Sequence, residues 1–282
     1  MSVKSPKSAR TRRLALAGTA VGVVVALVVA LLIAKFVGGD TPAASAAPGG
    51  DAAPILAAIS RLPASGYDTV GAGSTSNQPQ ALTSPTALTA DGKPEVLYVG
   101  AEFCPFCASV TWGLVTALNR FGTFTTLDLT SSASDDVYPN TATFTFHKSV
   151  YTSTYITFRG YELSDRAHKQ LDTMPSAETK VFQTFDQPPY AEAASAGSIP
   201  FLAIGGHYLL HGATYDPQLL HGLTQRQIAA HLNNPDDPIA QAIFAEANLL
   251  SAAICQSTGG KPASVCSSAG VKAAAATLAA SG

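Results

Sequence analysis

The run 94-PEVLYVGAEFCPFCASVTW-112 carries the strongest structural signal in this chain. Its first part, Pro94 to Gly100, is apolar and bounded by turn residues, which predicts a strand. Its last part opens a helical pattern over Ala108 to Phe121. Between them stand Cys104 and Cys107, separated by Pro105 and Phe106. A strand that feeds a C-x-x-C at a helix start is a layout suited to thiol redox chemistry. The first N–H groups of a helix have no partner within it, and its dipole is positive at that end, so a thiolate on Cys104 is stabilised there. Pro105 suits the first turn because its missing N–H would have been unpaired anyway. Two intervening residues let the sulfurs close a small ring that opens without moving the fold. Cys104 is then the attacking thiolate at the exposed helix tip. Cys107, a turn inside with poorer access, is the resolving thiol.

A lone C-x-x-C also occurs in haem attachment, zinc sites and inert disulfides. Haem attachment requires His after the second cysteine, and Ala108 follows here. Structural zinc requires a second pair at short spacing, but Cys255 and Cys266 stand eleven positions apart. A redox dithiol is the leading reading, with a metal site and a structural disulfide as alternatives. No metal ligand set and no cofactor are expected. His207 and His211 lack a third ligand nearby in sequence and read as solvated or packed. There is no G-x-S-x-G elbow to support a hydrolase.

Far downstream, 197-GSIPFLAIGG-206 reads as a proline at the mouth of an apolar strand, then a Gly-Gly turn and a second strand, Tyr208 to His211. Together with AEFC at 101–104, this resembles the thioredoxin superfamily, whose cis-proline loop faces the active disulfide. A trans proline opening an edge strand is the alternative. The run DGKPEVLYVGAEFCPFCASVTW, the later RFGTF, TFTF and SIPFLAIGG, and the paired C-terminal cysteines are similar to the thioredoxin-like family called domain of unknown function 929. The resemblance implies an α/β fold with a central mixed sheet flanked by helices. It also implies protein thiols or disulfides as partners, with Ile199, Pro200 and Phe106 bordering the substrate. Thioredoxin itself carries a buried carboxylate six residues before the first cysteine, as proton acceptor. Tyr98 stands at that position here.

The N-terminal residues differ from the rest. Lys4, Lys7, Arg10, Arg12 and Arg13 precede an unbroken apolar run from Leu14 to Ala34, long enough for a membrane helix. With the basic cluster inside, the body faces out of the cytoplasm. A cleaved signal peptide ending near Ala44-Ser45-Ala46 is the alternative. Beyond Lys35, all 19 acidic residues face 11 of the 17 basic ones, a net charge of −8. That balance argues against nucleic acid as a partner. An extracytoplasmic setting also permits disulfides, and a membrane redox partner could recycle the dithiol. The expected organisation is a basic segment (1–13), an anchor (14–35) and a flexible linker (36–53). A thioredoxin-like domain follows (54–234), with an insertion at about 131–196, and then a helical extension (235–282).

Within the body, Pro54 to Leu62 predicts a short helix, and the polar segment up to Gln80 a loop. Phe124 to Thr130 predicts a strand placed parallel to the first by the helical crossover. Thr141 to His147 and Ser153 to Tyr161 suggest extra strands. The insertion occupies the position in which disulfide oxidoreductases of the DsbA type build a lid over the active disulfide. Trp112 reads as core. Thr224 with Gln227 forms a capping-box pattern that opens a helix to about Leu232. A further helix runs from Ile239 to Ile254. Cys255 and Cys266 would close a loop of about a dozen residues as a structural disulfide, worth about 2 to 3 kcal/mol. The rival functional class is a binding scaffold in which the Cys104 to Cys107 disulfide is merely structural.

Overall fold

The structure is a computed structural model and describes residues 50–280. The expected basic segment, the anchor and nearly all of the linker lie outside the described residues. The described chain is mixed α/β. It opens with β1 (Gly50–Asp51), α1 (Ala53–Ile59) and α2 (Ala64–Val70), followed by the short strands β2 (Gln80–Ala81) and β3 (Thr89–Ala90). The strand β4 (Lys93–Gly100) leads into α3 (Pro105–Leu118). Three more strands follow, β5 (Thr123–Ser131), β6 (Ala142–Thr152) and β7 (Thr157–Glu162), and then α4 (Ser176–Phe185). A hairpin of β8 (Phe201–Ile204) and β9 (Tyr208–His211) precedes α5 (Gln225–His231), α6 (Pro238–Ser257), α7 (Ala263–Cys266) and α8 (Ala269–Ala280).

β4 is the centre of the larger sheet. On one side it pairs antiparallel with β8, and β9 and β2 continue outward. On the other it pairs parallel with β7 from Glu95 to Gly100, while β3 takes only its first two residues. Six consecutive buried residues of β4 follow from this position, because both faces of the sheet are covered. Val96 and Tyr98 join the main core with Val110 and Leu114 of α3. Leu97 and Val99 join a second cluster with Phe201, Ala203 and Leu209, closed by Val181, Phe182 and Phe185 of α4.

Two expectations need correction. β5 is a strand, but it is not the parallel neighbour of β4. It forms a separate antiparallel sheet with β1 and the eleven-residue β6, and the place beside β4 belongs to β7. Only Phe124 and Leu127 of the first half of β5 are buried, an uneven pattern accompanied by register irregularities near Thr126. The polar segment before Gln80 contains α2, which its sequence hardly announces. Tyr67 provides its anchor, packing on Phe244 of α6 with ring centroids 4.5 Å apart. The helix of the segment 131–196 packs on the sheet face lined by Phe201, with Phe182 and Phe201 at 5.2 Å.

Other readings meet their elements directly. Trp112 is fully buried, donates Nε1–H to the Ala142 carbonyl at 2.9 Å and packs on Phe144. The capping box of Thr224 and Gln227 is complete. Cys255 and Cys266 are bonded, with Cα atoms 5.6 Å apart. Among the described residues, one helix, α6, is long and apolar enough to cross a bilayer, but 83% of it is buried inside the protein. It packs beside α3 with Ile243, Phe244, Ala247 and Leu250 turned into the core.

Candidate functional site

The C-x-x-C sits where β4 ends and α3 begins. Cys104 is the N-cap of α3, in extended backbone conformation, and its sulfur accepts the Cys107 N–H at 3.3 Å. Pro105 occupies the first turn. Both cysteines are free thiols. The loop carrying them is pinned on two sides. Glu102 N–H donates to the Ser164 carbonyl at 2.9 Å, and Ala133 N–H donates to the Phe103 carbonyl at 2.9 Å.

The two thiols are chemically unequal. Cys104 is held below the ordinary thiol range, first by the hydrogen bond from the Cys107 thiol and further by the Cys107 and Phe106 N–H groups. Burial and Asp136 work against that lowering. Cys107 is pushed well above the ordinary range, first by burial, then by its bond to Cys104 and by the charge of Glu162. The sequence alone placed Cys104 at an exposed tip, and here the structure differs: Cys104 is 7% exposed and Cys107 2%. The open residue of the motif is Phe106, at 40%.

Segments distant in sequence border this motif. Phe106 meets Tyr138 edge-on at 6.1 Å, and Phe103 lies against the His168 ring at 4.4 Å. Tyr138 and His168 belong to the segment 131–196, so part of that segment flanks the motif even though its helix does not. A hollow lined by Glu102, Thr145, His147 and Arg166 opens alongside. Arg166 is held in place by the Ser132 carbonyl at 3.1 Å and Asn140 Oδ1 at 2.8 Å.

The Ile199–Pro200 peptide is cis. Pro200 is buried and lies one residue before the Val99–Phe201 pair, level with the end of β4. β8 lies between β9 and β4, so the edge-strand alternative for this proline fails. Ile199 packs with the cluster containing Phe201. His211 bonds elsewhere, to the Phe185 carbonyl at 3.0 Å and to Asp186 at 3.5 Å.

One residue of the site escapes a sequence reading. Glu162, the last residue of β7, is 2% exposed and pairs with Gly100 across the parallel ladder. Its carboxyl is pushed well above the ordinary range, chiefly by burial, and the charges of Glu102, Asp172 and Cys104 add to the rise. The Phe146 N–H, donated to Oε1 at 3.3 Å, opposes it. The sequence offers only a strand-terminal glutamate some sixty residues from the motif, and nothing local predicts its burial.

Fold and site together define a mixed α/β protein whose central strand delivers a C-x-x-C to the first turn of a buried helix. The model of a family described as a domain of unknown function (DUF929) matches residues 80–256, and the chain belongs to that family. The match runs from β2 through nearly all of α6. No curated protein and no solved structure matches this chain.

Proposed function

We propose that this chain is a thioredoxin-like thiol-disulfide oxidoreductase, held outside the cytoplasm by its N-terminal apolar run and acting on protein thiols or disulfides. Cys104 attacks, Cys107 resolves, and Ile199, Pro200 and Phe106 border the substrate. The observation that carries this reading is the inequality of the two thiols. A lowered Cys104 carries more thiolate than an ordinary cysteine, and a raised Cys107 holds its proton until a mixed disulfide brings a leaving group to it. The position of Pro200 level with the end of β4 adds support. The basic cluster at residues 4–13 and the apolar run 14–34 support an anchored body facing out, recycled by a membrane redox partner. A body secreted after cleavage performs the same chemistry.

The test is a trapping experiment with a redox titration. Cys107→Ser is expected to accumulate covalent complexes with partner proteins through Cys104, whereas Cys104→Ser accumulates none. The dithiol is expected to equilibrate with glutathione at potentials above about −300 mV, the region below which structural disulfides fall. Absence of complexes from both variants, together with a disulfide more reducing than that limit, would replace this reading with a binding scaffold.

A further inference from the structure

Two of the four large apolar side chains that stand exposed among the described residues lie at the C-x-x-C: Phe106, at 40%, and Val137, at 65%. Val137 adjoins Tyr138, whose ring meets Phe106 edge-on. Exposed apolar side chains gathered at a reactive group mark a surface that a partner covers. The rim of this face is acidic. Glu102, two residues before Cys104, lines the hollow beside the motif together with Asp128 and Asp165. Asp165 is held there by the Ala167 and Lys169 N–H groups, at 2.8 and 3.0 Å. On the other flank Asp135 and Asp136 precede Val137. Asp135 comes within 3.9 Å of His168, whose ring lies on Phe103, and the Asp136 carboxylate accepts the Val137 N–H at 2.6 Å. Cations do not balance this charge. Along the three stretches that border the motif, 101–107, 132–141 and 163–172, five carboxylates (Glu102, Asp135, Asp136, Asp165 and Asp172) face two cations, Arg166 and Lys169, a net charge of −3 with histidines neutral. The Arg166 guanidinium is already engaged by the Ser132 carbonyl and Asn140. Asp136 moreover opposes the lowering of the Cys104 thiol. Negative charge at this place is a disadvantage to the thiol alone and an advantage when the partner is positive.

We propose that this face selects polypeptide segments in which basic residues flank the reacting cysteine. An apolar side chain of the segment covers Phe106 and Val137, and its Lys or Arg side chains meet Glu102, Asp135, Asp136 and Asp165. The inference rests on the oxidoreductase reading and names the substrate class. The same rim disfavours acidic segments, anionic small thiols and an anionic lipid surface, because like charges oppose each of them. Selection of this kind acts chiefly on the rate of encounter, and salt weakens it.

The experiment first reads the charge at Cys104 with two thiol reagents of opposite sign, trimethylammonioethyl and sulfonatoethyl methanethiosulfonate. The full-length Cys107→Ser chain in dodecyl maltoside leaves Cys104 as the free thiol, since Cys255 and Cys266 are bonded. Relative to their rates on 2-mercaptoethanol, the cationic reagent is expected to label Cys104 about tenfold faster than the anionic one. The ratio should approach one in about 1 M sodium chloride, where the Debye length is about 3 Å. Replacing Asp135→Asn and Asp136→Asn together should remove most of it, and asparagine keeps an oxygen for the Val137 N–H. A ratio of one at low salt would overturn the proposal. So would equal slowing of both reagents on reconstitution into phosphatidylglycerol vesicles, which would assign the face to lipid. The wild-type chain is then given two disulfide-bonded peptides that differ only in Lys or Glu on either side of the cysteine. Exchange with the Lys peptide is expected to be about tenfold faster, and equal rates would overturn the selection. Exchange with neither peptide, with the charge ratio at Cys104 intact, would remove the oxidoreductase reading and leave the acidic, partner-binding face.

Discussion

The chain holds two cysteine pairs in two different settings. Cys104 and Cys107 stand three apart at the start of α3, as free thiols among Glu162, Tyr98 and Asp136. Cys255 and Cys266 stand eleven apart, near the end of α6 and at the end of α7, and are joined. The Cys255–Cys266 bond closes a turn containing Gly259 and Gly260, both with positive φ, that holds α7 and α8 against α6. Cysteine spacing alone would not rank these pairs. What separates them is the field around each sulfur: a helix start and a buried acid at one, a packed helix end at the other.

The sharpest way to break that contrast is alkylation at neutral pH. Iodoacetamide is expected to modify Cys104 in the Cys107→Ser variant and to leave Cys107 unmodified in Cys104→Ser, an all-or-none difference read by mass spectrometry. Because the largest lowering of Cys104 comes from the Cys107 thiol as donor, Cys107→Ala should shift the pH profile of Cys104 alkylation upward relative to Cys107→Ser, which keeps a hydroxyl donor. Equal profiles would assign the lowering to the helix start alone.

Next in size is the loss of the second pair. Replacing both Cys255 and Cys266 with Ser is expected to cost about 3 kcal/mol in urea unfolding, from the freed loop entropy, with no change in Cys104 reactivity. A changed Cys104 profile would show that the two pairs communicate.

Arg120 makes the structural link between these regions. It follows α3, donates to Asn248 Oδ1 and Ser251 Oγ at 3.0 Å each and to Ser268 Oγ at 3.3 Å, and lies 4.6 Å over the Tyr67 ring. Arg120→Met is expected to destabilise by about 2 kcal/mol, because partners are left unpaired and a cation–π contact is lost. A cost no larger than that of an ordinary surface change, about 0.5 kcal/mol, would remove Arg120 from the account.

The smallest effect concerns a buried acid on α6. Glu246 on α6 is fully buried against Gly113 of α3, and burial pushes its carboxyl well above 4.5, while the Thr214 hydroxyl pulls it back. The folded state therefore keeps a proton that the unfolded chain releases near pH 4.5. Stability from this group is present below that pH and falls as pH rises toward the folded value. Glu246→Gln should flatten the decline and stabilise the protein at pH 8 by about 1 kcal/mol. It should leave the thiol profiles untouched.

The elements that the sequence announced most clearly were those with local causes. The apolar run from Pro94, the Cys104 helix start, the Thr224 capping box and the periodic apolar face of α6 each depend on residues within a turn or two of one another. The reading failed where partners are distant. β5 has ordinary strand composition, yet its place beside β6 rather than β4 is set by long-range pairing that its own residues do not encode. α2 has one apolar anchor, Tyr67, whose value appears only once Phe244 is beside it.

The sequence by itself therefore determined the mixed α/β character, the redox-capable motif and the apolar run preceding the body, because helix starts, strand runs and membrane-length segments are local patterns. Tertiary structure alone decided that β7 is the parallel neighbour of β4, that the 132–141 loop and His168 flank the motif, and that Glu162 at the end of β7 is buried level with Gly100. Register across a ladder and burial of a charge are set by long-range packing. A glutamate in a strand reads as a solvated edge until the partner strand and covering helix are in place.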